Sequence, residues 1–379
     1  MIVTAFKFIK YDKSKSIGVV LGIVISIFLI GQQIGILGFL TGLMGGIIQN
    51  SRQDIGKIWV IDNITQNANE LGKLDSRLLQ EIRSIDGVEN TFAVVAASSL
   101  VKFSNGKTSP VLIIGSEAPL FVAGPNPTKI NGGKLTDLAF DGAVSAEFFD
   151  QAIYDNTVEI GKRLEINGKE AYIRLQTKNA RGFGGTFFYT TLSKARYFSN
   201  FPENKVSAIA VQIKKGYEVA NVVKNINKSI YGIKAWDAEE LRQTTVSFIT
   251  VSSNIGTSIG SLVVFAIISG FFIIGLTLYS AALDRIKDYG TLKAIGATDN
   301  YVRNLILLQS FIFALIGFCI AILLLNGFKN GVANAGLVIN YSPEEIVALF
   351  FITVFISVGG SFFAIKKINS VEPASVFRG

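Results

Sequence analysis

Four stretches without a charged side chain decide what this chain of 379 residues can be. They lie between Lys15 and Arg52, Arg242 and Asp284, Arg303 and Lys329, and Glu345 and Lys366. A helix rises 1.5 Å per residue, so roughly 20 apolar residues cross a hydrocarbon core of about 30 Å. Each stretch is long enough. They predict transmembrane helices at about 17–40, 261–283, 305–327 and 346–364. The expected fold class is a membrane protein with four transmembrane α-helices and one large extracytoplasmic α+β domain between the first and second.

The first two stretches exceed what a bilayer needs, and the excess is polar. It carries Gln32, Gln33, Thr41 and Gln49 in the first, and Thr244, Thr245, Ser247, Thr250, Ser252, Ser253, Asn254 and Thr257 in the second. Both helices are therefore expected to continue beyond the membrane as a stalk. The first is too long for a secretory h-region and no A-x-A site closes it, so it reads as an anchor. The preceding Ala5-Phe6-Lys7-Phe8-Ile9-Lys10 mixes aromatics with lysines, a composition that can lie along the inner leaflet.

Basic residues in short flanks set orientation. Lys7, Lys10, Lys13 and Lys15 precede the first helix; Arg285, Lys287, Lys293 and Arg303 lie between the second and third; Lys366, Lys367 and Arg378 follow the fourth. Both termini and the 284–303 loop are thus expected in the cytoplasm of a bacterial inner membrane, with the large domain outside. The organisation reads as cytoplasmic segment 1–16, helix and stalk 17–51, external domain 52–242, and stalk and helix 243–283. Cytoplasmic segment 284–303, helix 304–328, external loop 329–345, helix 346–365 and cytoplasmic tail 366–379 complete it. The net charge of +8 gathers in these flanks, which gives no support to a nucleic-acid partner; the bilayer is the surface it faces.

Composition excludes most chemistry. Charged residues are 17% against about 25% in a typical soluble chain. There is no histidine, and Cys319 is the single cysteine, so imidazole-based catalysis, an all-cysteine zinc site and an internal disulfide are ruled out. Gly106-Lys107-Thr108 lacks the earlier glycine of a P-loop, since position 101 is Val101. Gly182-Phe183-Gly184-Gly185 has no strand-loop-helix context and reads as a loop; Phe183, Phe187, Phe188 and Tyr189 are apolar enough to touch a partner or a lipid-like substrate, but ordinary core packing is the expectation. The acidic run Asp137, Asp141, Glu147, Asp150 does not match a calcium loop and is expected to be a solvated face. No ionisable residue lies at bilayer depth, which argues against a proton relay or intramembrane acid catalysis. The chain is expected not to be an enzyme and to hold no cofactor or metal of its own.

Within 52–242, Asp75 is placed to cap a helix running to about Ile85. Strands are expected at Thr91–Val95, Val111–Ile114, Ala208–Ile213 and Gly232–Trp236, and a helix at about Tyr217–Ile230, which gives β-α-β elements at both ends of the domain. Asn167-Gly168 between Arg163–Ile166 and Ala171–Arg174 marks a hairpin, and Asp237 a cap for the helix entering the second span. The first span repeats glycine every four residues: Gly18/Gly22, Gly31/Gly35, Gly38/Gly42 and Gly42/Gly46. That spacing predicts a helix-contact surface, in the same chain or in a symmetric dimer.

The most informative stretch is Asp284-Arg285-Ile286-Lys287-Asp288-Tyr289-Gly290-Thr291-Leu292-Lys293-Ala294-Ile295-Gly296-Ala297. It is a short segment with ordered apolar positions between two membrane helices. It resembles the cytoplasmic signature of FtsX/MacB-type ABC transporter permeases, with Gly290, Leu292, Lys293, Ala294, Ile295, Gly296 and Ala297 matching. Asp288-Tyr289 stands where many members have Glu-Ile, as in DevC-like permeases. Pro373-Ala374-Ser375-Val376-Phe377-Arg378 is similar to the family's closing motif, and the layout of one helix, a large domain and three helices is shared. The resemblance implies a coupling segment (Arg285, Asp288 and the residues just named) that docks a separate cytoplasmic ATPase, which alone binds ATP and magnesium. It further implies a homodimer in which Gly31, Gly35, Gly38 and Gly42 serve helix contacts, and mechanical transmission to the external domain. A periplasmic adaptor and a TolC-like outer-membrane duct are implied for an exporter. FtsX-like activation of a cell-wall hydrolase and lipoprotein release are the alternatives.

Overall fold

The computed structural model describes Ala5 and residues 13–151, 154–155, 157–183 and 185–369. Most of the Ala5–Lys10 stretch, Gly184 and the closing Pro373–Arg378 motif lie outside the described residues. Among the described residues, four helices are long and apolar enough to span a membrane: Ser16–Met44, Ile255–Asp284, Asp299–Ala333 and Pro343–Ile368. A mixed α+β domain lies between the first and second. The chain forms two compact units. One comprises the residues up to Gly38, Ile255–Ala333 and those from Ile339 on; the other comprises Phe39–Asn254 with Asn334–Val338.

Helix α1 (Lys13–Met44) has 32 residues, about 48 Å at 1.5 Å each. It runs unbroken past the bilayer-length window and through Thr41. Gly45 interrupts it, and a single turn follows, α2 (Gly46–Gln49).

The domain begins with β1 (Ile58–Asp62), β2 (Leu74–Asp75), α3 (Leu78–Arg83), β3 (Val88–Lys102) and β4 (Thr108–Ser116). Next come β5 (Ile130–Gly132), β6 (Ala143–Glu147), β7 (Arg163–Ile166), β8 (Lys169–Thr177), β9 (Thr186–Thr191) and α4 (Leu192–Ser199). It closes with β10 (Lys205–Val206), β11 (Ala208–Ile213), α5 (Val219–Ser229), β12 (Ile233–Asp237) and α6 (Ala238–Ser252).

The strand order β12-β1-β11-β3 is antiparallel throughout, and α3 and α5 make two split β-α-β crossovers. In chain order these strands read 4-1-3-2, a ferredoxin-like sheet. Strand alternation explains its two faces. Ile58 and Val60 of β1 pack with Ile82 of α3 and Val222 and Ile226 of α5. Trp59 and Ile61 point the other way, among Phe92, Trp236, and Ile47 and Ile48 of α2. Between β3 and β11 a second lobe is inserted. It pairs β4 with β9 in parallel and β7 with β8 as a hairpin, whose turn puts Asn167 at φ 48° and Gly168 at φ 78°. Phe188 of β9 is buried there with Phe198 of α4, and Phe187 and Tyr189 are buried on the opposite face, so these three are core, whereas Phe183 is exposed and does not follow the core expectation.

Three sequence expectations need correction. Asp75 does not cap a helix end; it lies in β2, and its carboxylate accepts from the Arg77 backbone N–H (3.0 Å) and the Arg77 guanidinium, which holds it below the usual carboxylate range. The helix starts only at Leu78, and a side chain one residue before Ser76 is too far back to reach its first-turn amides. The second stalk is not one helix with its membrane span. Asp237 does cap α6, accepting from Glu239 and Glu240 N–H groups, but Asn254 at φ 56° separates α6 from α7 (Ile255–Asp284).

The acidic run is not a solvated face either. Asp141 is exposed, but Glu147 and Asp150 are buried, and burial pushes both carboxyls up. Glu147 accepts from Asn179 N–H (2.6 Å), Ala180 N–H (3.0 Å) and the Thr177 hydroxyl (2.9 Å). Replacing it by alanine leaves buried donors unmatched, at about 1–3 kcal/mol each. Thermal unfolding of the full chain in detergent is therefore expected to show Glu147→Ala clearly destabilised, by about 3 kcal/mol, and an unchanged transition would contradict this role.

In the membrane unit, α7, α9 (Asp299–Ala333) and α10 (Pro343–Asn369) pack around α1 residues Ile23, Ile27 and Ile30. Glycines set the closest approaches. A Cβ on Gly360 of α10 would lie 3.0 Å from the backbone N of Gly275 in α7, and one on Gly317 of α9 would lie 2.5 Å from Ile23. The Ser357 hydroxyl donates to the Ser310 carbonyl (2.8 Å), tying α10 to α9.

Candidate functional site

The segment joining α7 to α9 is a second, shorter helix, α8 (Ile286–Ala294), set off by a bend at Arg285. Its C-terminus explains the Leu-Lys-Ala-Ile-Gly-Ala pattern residue by residue. Gly296 adopts φ 101°, its N–H donates to the Lys293 carbonyl (3.1 Å), and the Ala297 N–H donates to the Leu292 carbonyl (2.9 Å). These are the two bonds of a Schellman cap. The hydrophobic contact that accompanies such a cap is supplied by Leu292 and Ala297, both packed against the membrane-unit core. No atom lies within 4 Å of a Cβ built on Gly296, so glycine is demanded by conformation rather than space.

The other side chains divide into two faces. Inward, Tyr289 and Gly290 are buried, and the Tyr289 hydroxyl reaches Gln309 of α9 at 3.5 Å. The Lys293 ammonium, its side chain only 7% exposed, donates to the Ile368 carbonyl near the end of α10 (3.0 Å) and pairs with Asp299 at the start of α9 (2.8 Å). Lys293 thereby ties α8 to α9 and α10. Outward lie Asp288, Ala294, Ile295 and Gly296, while Arg285 is half-buried. Ile295 is 77% exposed on this well-anchored support. A large apolar side chain held that way is suited to enter a pocket on another protein.

A valine at position 296 cannot adopt the cap conformation without strain, at a cost of about 1–2 kcal/mol. Limited trypsinolysis of Gly296→Val is expected to cut at Lys287 and Lys293 several-fold faster than in the parent, and equal rates would show that the cap is dispensable.

The structure separates the glycines that the repeat grouped together. A Cβ on Gly31 would fall 2.4 Å from Leu325, and one on Gly35 would fall 2.7 Å from Ile339, so both serve contacts within the chain. At Gly38 and Gly42 the nearest atoms are 3.9 Å and 3.8 Å away, ordinary contact distances. Gly275, Gly317 and Gly360 were not legible as contact positions, because each contact uses a single glycine per helix rather than a repeat.

Residues 260–373, which include α8 and the helices around it, match the FtsX-like permease C-terminal family. This chain carries an FtsX-like permease domain. An uncharacterized ABC transporter permease of Methanocaldococcus jannaschii is 25% identical over 242 residues, covering 60% of this chain. The match spans 59% of that relative's length. Among solved structures, the periplasmic region of MacB from Actinobacillus actinomycetemcomitans is similar with a TM-score of 0.40 and 12% identity, over 52% of this chain and 96% of that one. The extracellular domain of the noncanonic ABC-type transporter YknZ from Gram-positive bacteria is similar with a TM-score of 0.36 and 12% identity, over 47% and 98%. The FtsX-like domain thus contains the α8 site entirely, with its anchors Gln309, Asp299 and Ile368 on the flanking helices.

Proposed function

We propose that this chain is the transmembrane subunit of an ABC-type export system, in which a separate cytoplasmic ATPase docks on α8. The observation that carries this reading is the exposed Ile295 on a capped helix that Tyr289, Leu292 and Lys293 anchor to the FtsX-like domain. A rigid support passes force, where a loose linker would absorb it. ATP-driven closure of the ATPases moves α8, and with it the membrane helices that lead to the external α+β domain. ATP and magnesium belong to the partner. Two copies of the chain pair, with Gly38 and Gly42 of α1 as candidate contact positions. Outside the membrane the domain works with a periplasmic adaptor and a TolC-like duct, so substrate need not pass between the helices; this agrees with their lack of ionisable residues at bilayer depth.

A photo-crosslinking amino acid at position 295, introduced in the native host, is expected to trap a nucleotide-binding protein. Adducts formed only with lipid, or with no protein, would overturn the docking assignment. The proteins bound outside then decide the output: an adaptor agrees with export, whereas a cell-wall hydrolase or a lipoprotein carrier would replace it by hydrolase activation or lipoprotein release.

A further inference from the structure

Arg181 lies in the link between β8 and β9, and its two ends are engaged by different parts of the chain. Its carbonyl accepts from the Asn50 side-chain amide (2.9 Å), immediately after α2. A Cβ on Gly46 would fall 2.4 Å from that same carbonyl, so the turn that ends α1 lies backbone against backbone on Arg181. Its guanidinium pairs with the buried Asp150 at 3.1 Å and lies 5.1 Å from the Phe149 ring centroid. On the guanidinium rests the connector between α9 and α10: a Cβ on Gly336 would fall 2.6 Å from Nη1 and 3.1 Å from Cζ. That connector, Asn334–Val338, belongs to the compact unit of the α+β domain. The link itself is held by the Glu147 carboxylate through the Asn179 and Ala180 amides, which presents Arg181 from a stiff support.

We propose that Arg181 is a latch that fastens the 334–338 connector and the end of α1 to one point of the α+β domain. The connector is covalently continuous with α9 and α10, and Gly46–Asn50 with α1. Both segments therefore meet the domain at Arg181, one on its guanidinium and the other on its carbonyl. The charges in the pocket balance: Lys129, bonded to Asn50, and Arg181 face Glu147 and Asp150. This makes a closed structural network rather than a site for an ionic ligand. The latch itself stands on geometry alone; its use in passing motion rests on the permease reading.

The test is amide hydrogen exchange on the full chain in lipid nanodiscs, without any ATPase, so that its outcome is independent of docking on α8. Arg181→Met is expected to speed exchange in the 334–338 connector at least tenfold. Because that change strands Asp150 as a buried unpaired charge, the double variant Arg181→Met/Asp150→Asn removes both members of the pair and keeps the domain folded. It is expected to keep parental protection in β1, β3 and β11 while the connector still exchanges at least tenfold faster. Parental protection of the connector in the double variant would overturn the latch, whatever the single variant does.

Discussion

Changing Ile295 to aspartate is expected to release the partner ATPase while leaving the permease chain intact. Burying an isoleucine in a partner's pocket contributes about 1.5–3 kcal/mol, and a carboxylate in its place adds a desolvation penalty of similar size or larger. Association is therefore expected to weaken by roughly 100-fold or more, since each 1.4 kcal/mol is tenfold. The chain itself has little to lose, because Ile295 is 77% exposed and makes no part of the membrane-unit core. Binding of purified ATPase to the permease in nanodiscs measures the first effect, and thermal unfolding of the permease alone measures the second. Ile295→Val, which keeps the apolar character, is expected to stay within a few-fold of the parent. Equal ATPase affinity for the aspartate variant and the parent would remove Ile295 from the interface.

Gly360→Leu is expected to have the largest effect on folding. A Cβ at that position meets Gly275 N at 3.0 Å, Gly275 Cα at 3.3 Å and the Phe271 carbonyl at 3.3 Å, all backbone atoms that cannot rotate away. Lipid tails are as apolar as leucine, so helix association in the membrane depends on such close packing rather than on a hydrophobic drive. Separating α7 from α10 to admit leucine forfeits that packing, and overpacking alone costs about 1–3 kcal/mol. Little monodisperse protein is expected on size exclusion in mild detergent, and what survives is expected to melt well below the parent. Gly331→Ala is the control. Nothing lies within 4 Å of a Cβ there, so its melting temperature is expected to match the parent or exceed it.

The membrane architecture was legible because charge avoidance over some 20 residues has few other physical explanations. The ordered segment that forms α8 was legible for a local reason as well. Leu292, Gly296 and Ala297 are the positions a Schellman cap constrains, and such a cap is written in consecutive residues. Long-range features were not. The β-α-β elements at both ends of the domain were legible, but nothing in the spacing of β1, β3, β11 and β12 announces that they join in one ferredoxin-like sheet, because a whole lobe is inserted between its second and third strands. Glu147 and Asp150 read as solvated from composition, yet the small and apolar residues around them, Ala143, Val144, Ala146 and Phe149, were a signal that this stretch is buried. Arg181 was passed over altogether. Its partners Asn50, Asp150 and Gly336 lie far apart in the chain, and only the fold brings them together.

The central claim is that α8 exists to hold an ATPase. Affinity purification of the tagged chain from its native host in mild detergent, with every co-purifying protein identified, tests it most directly. The account predicts an ABC-type ATPase in amounts comparable to the chain itself, absent from a parallel purification of Ile295→Asp. Recovery of the intact, folded chain with no ATPase would contradict it.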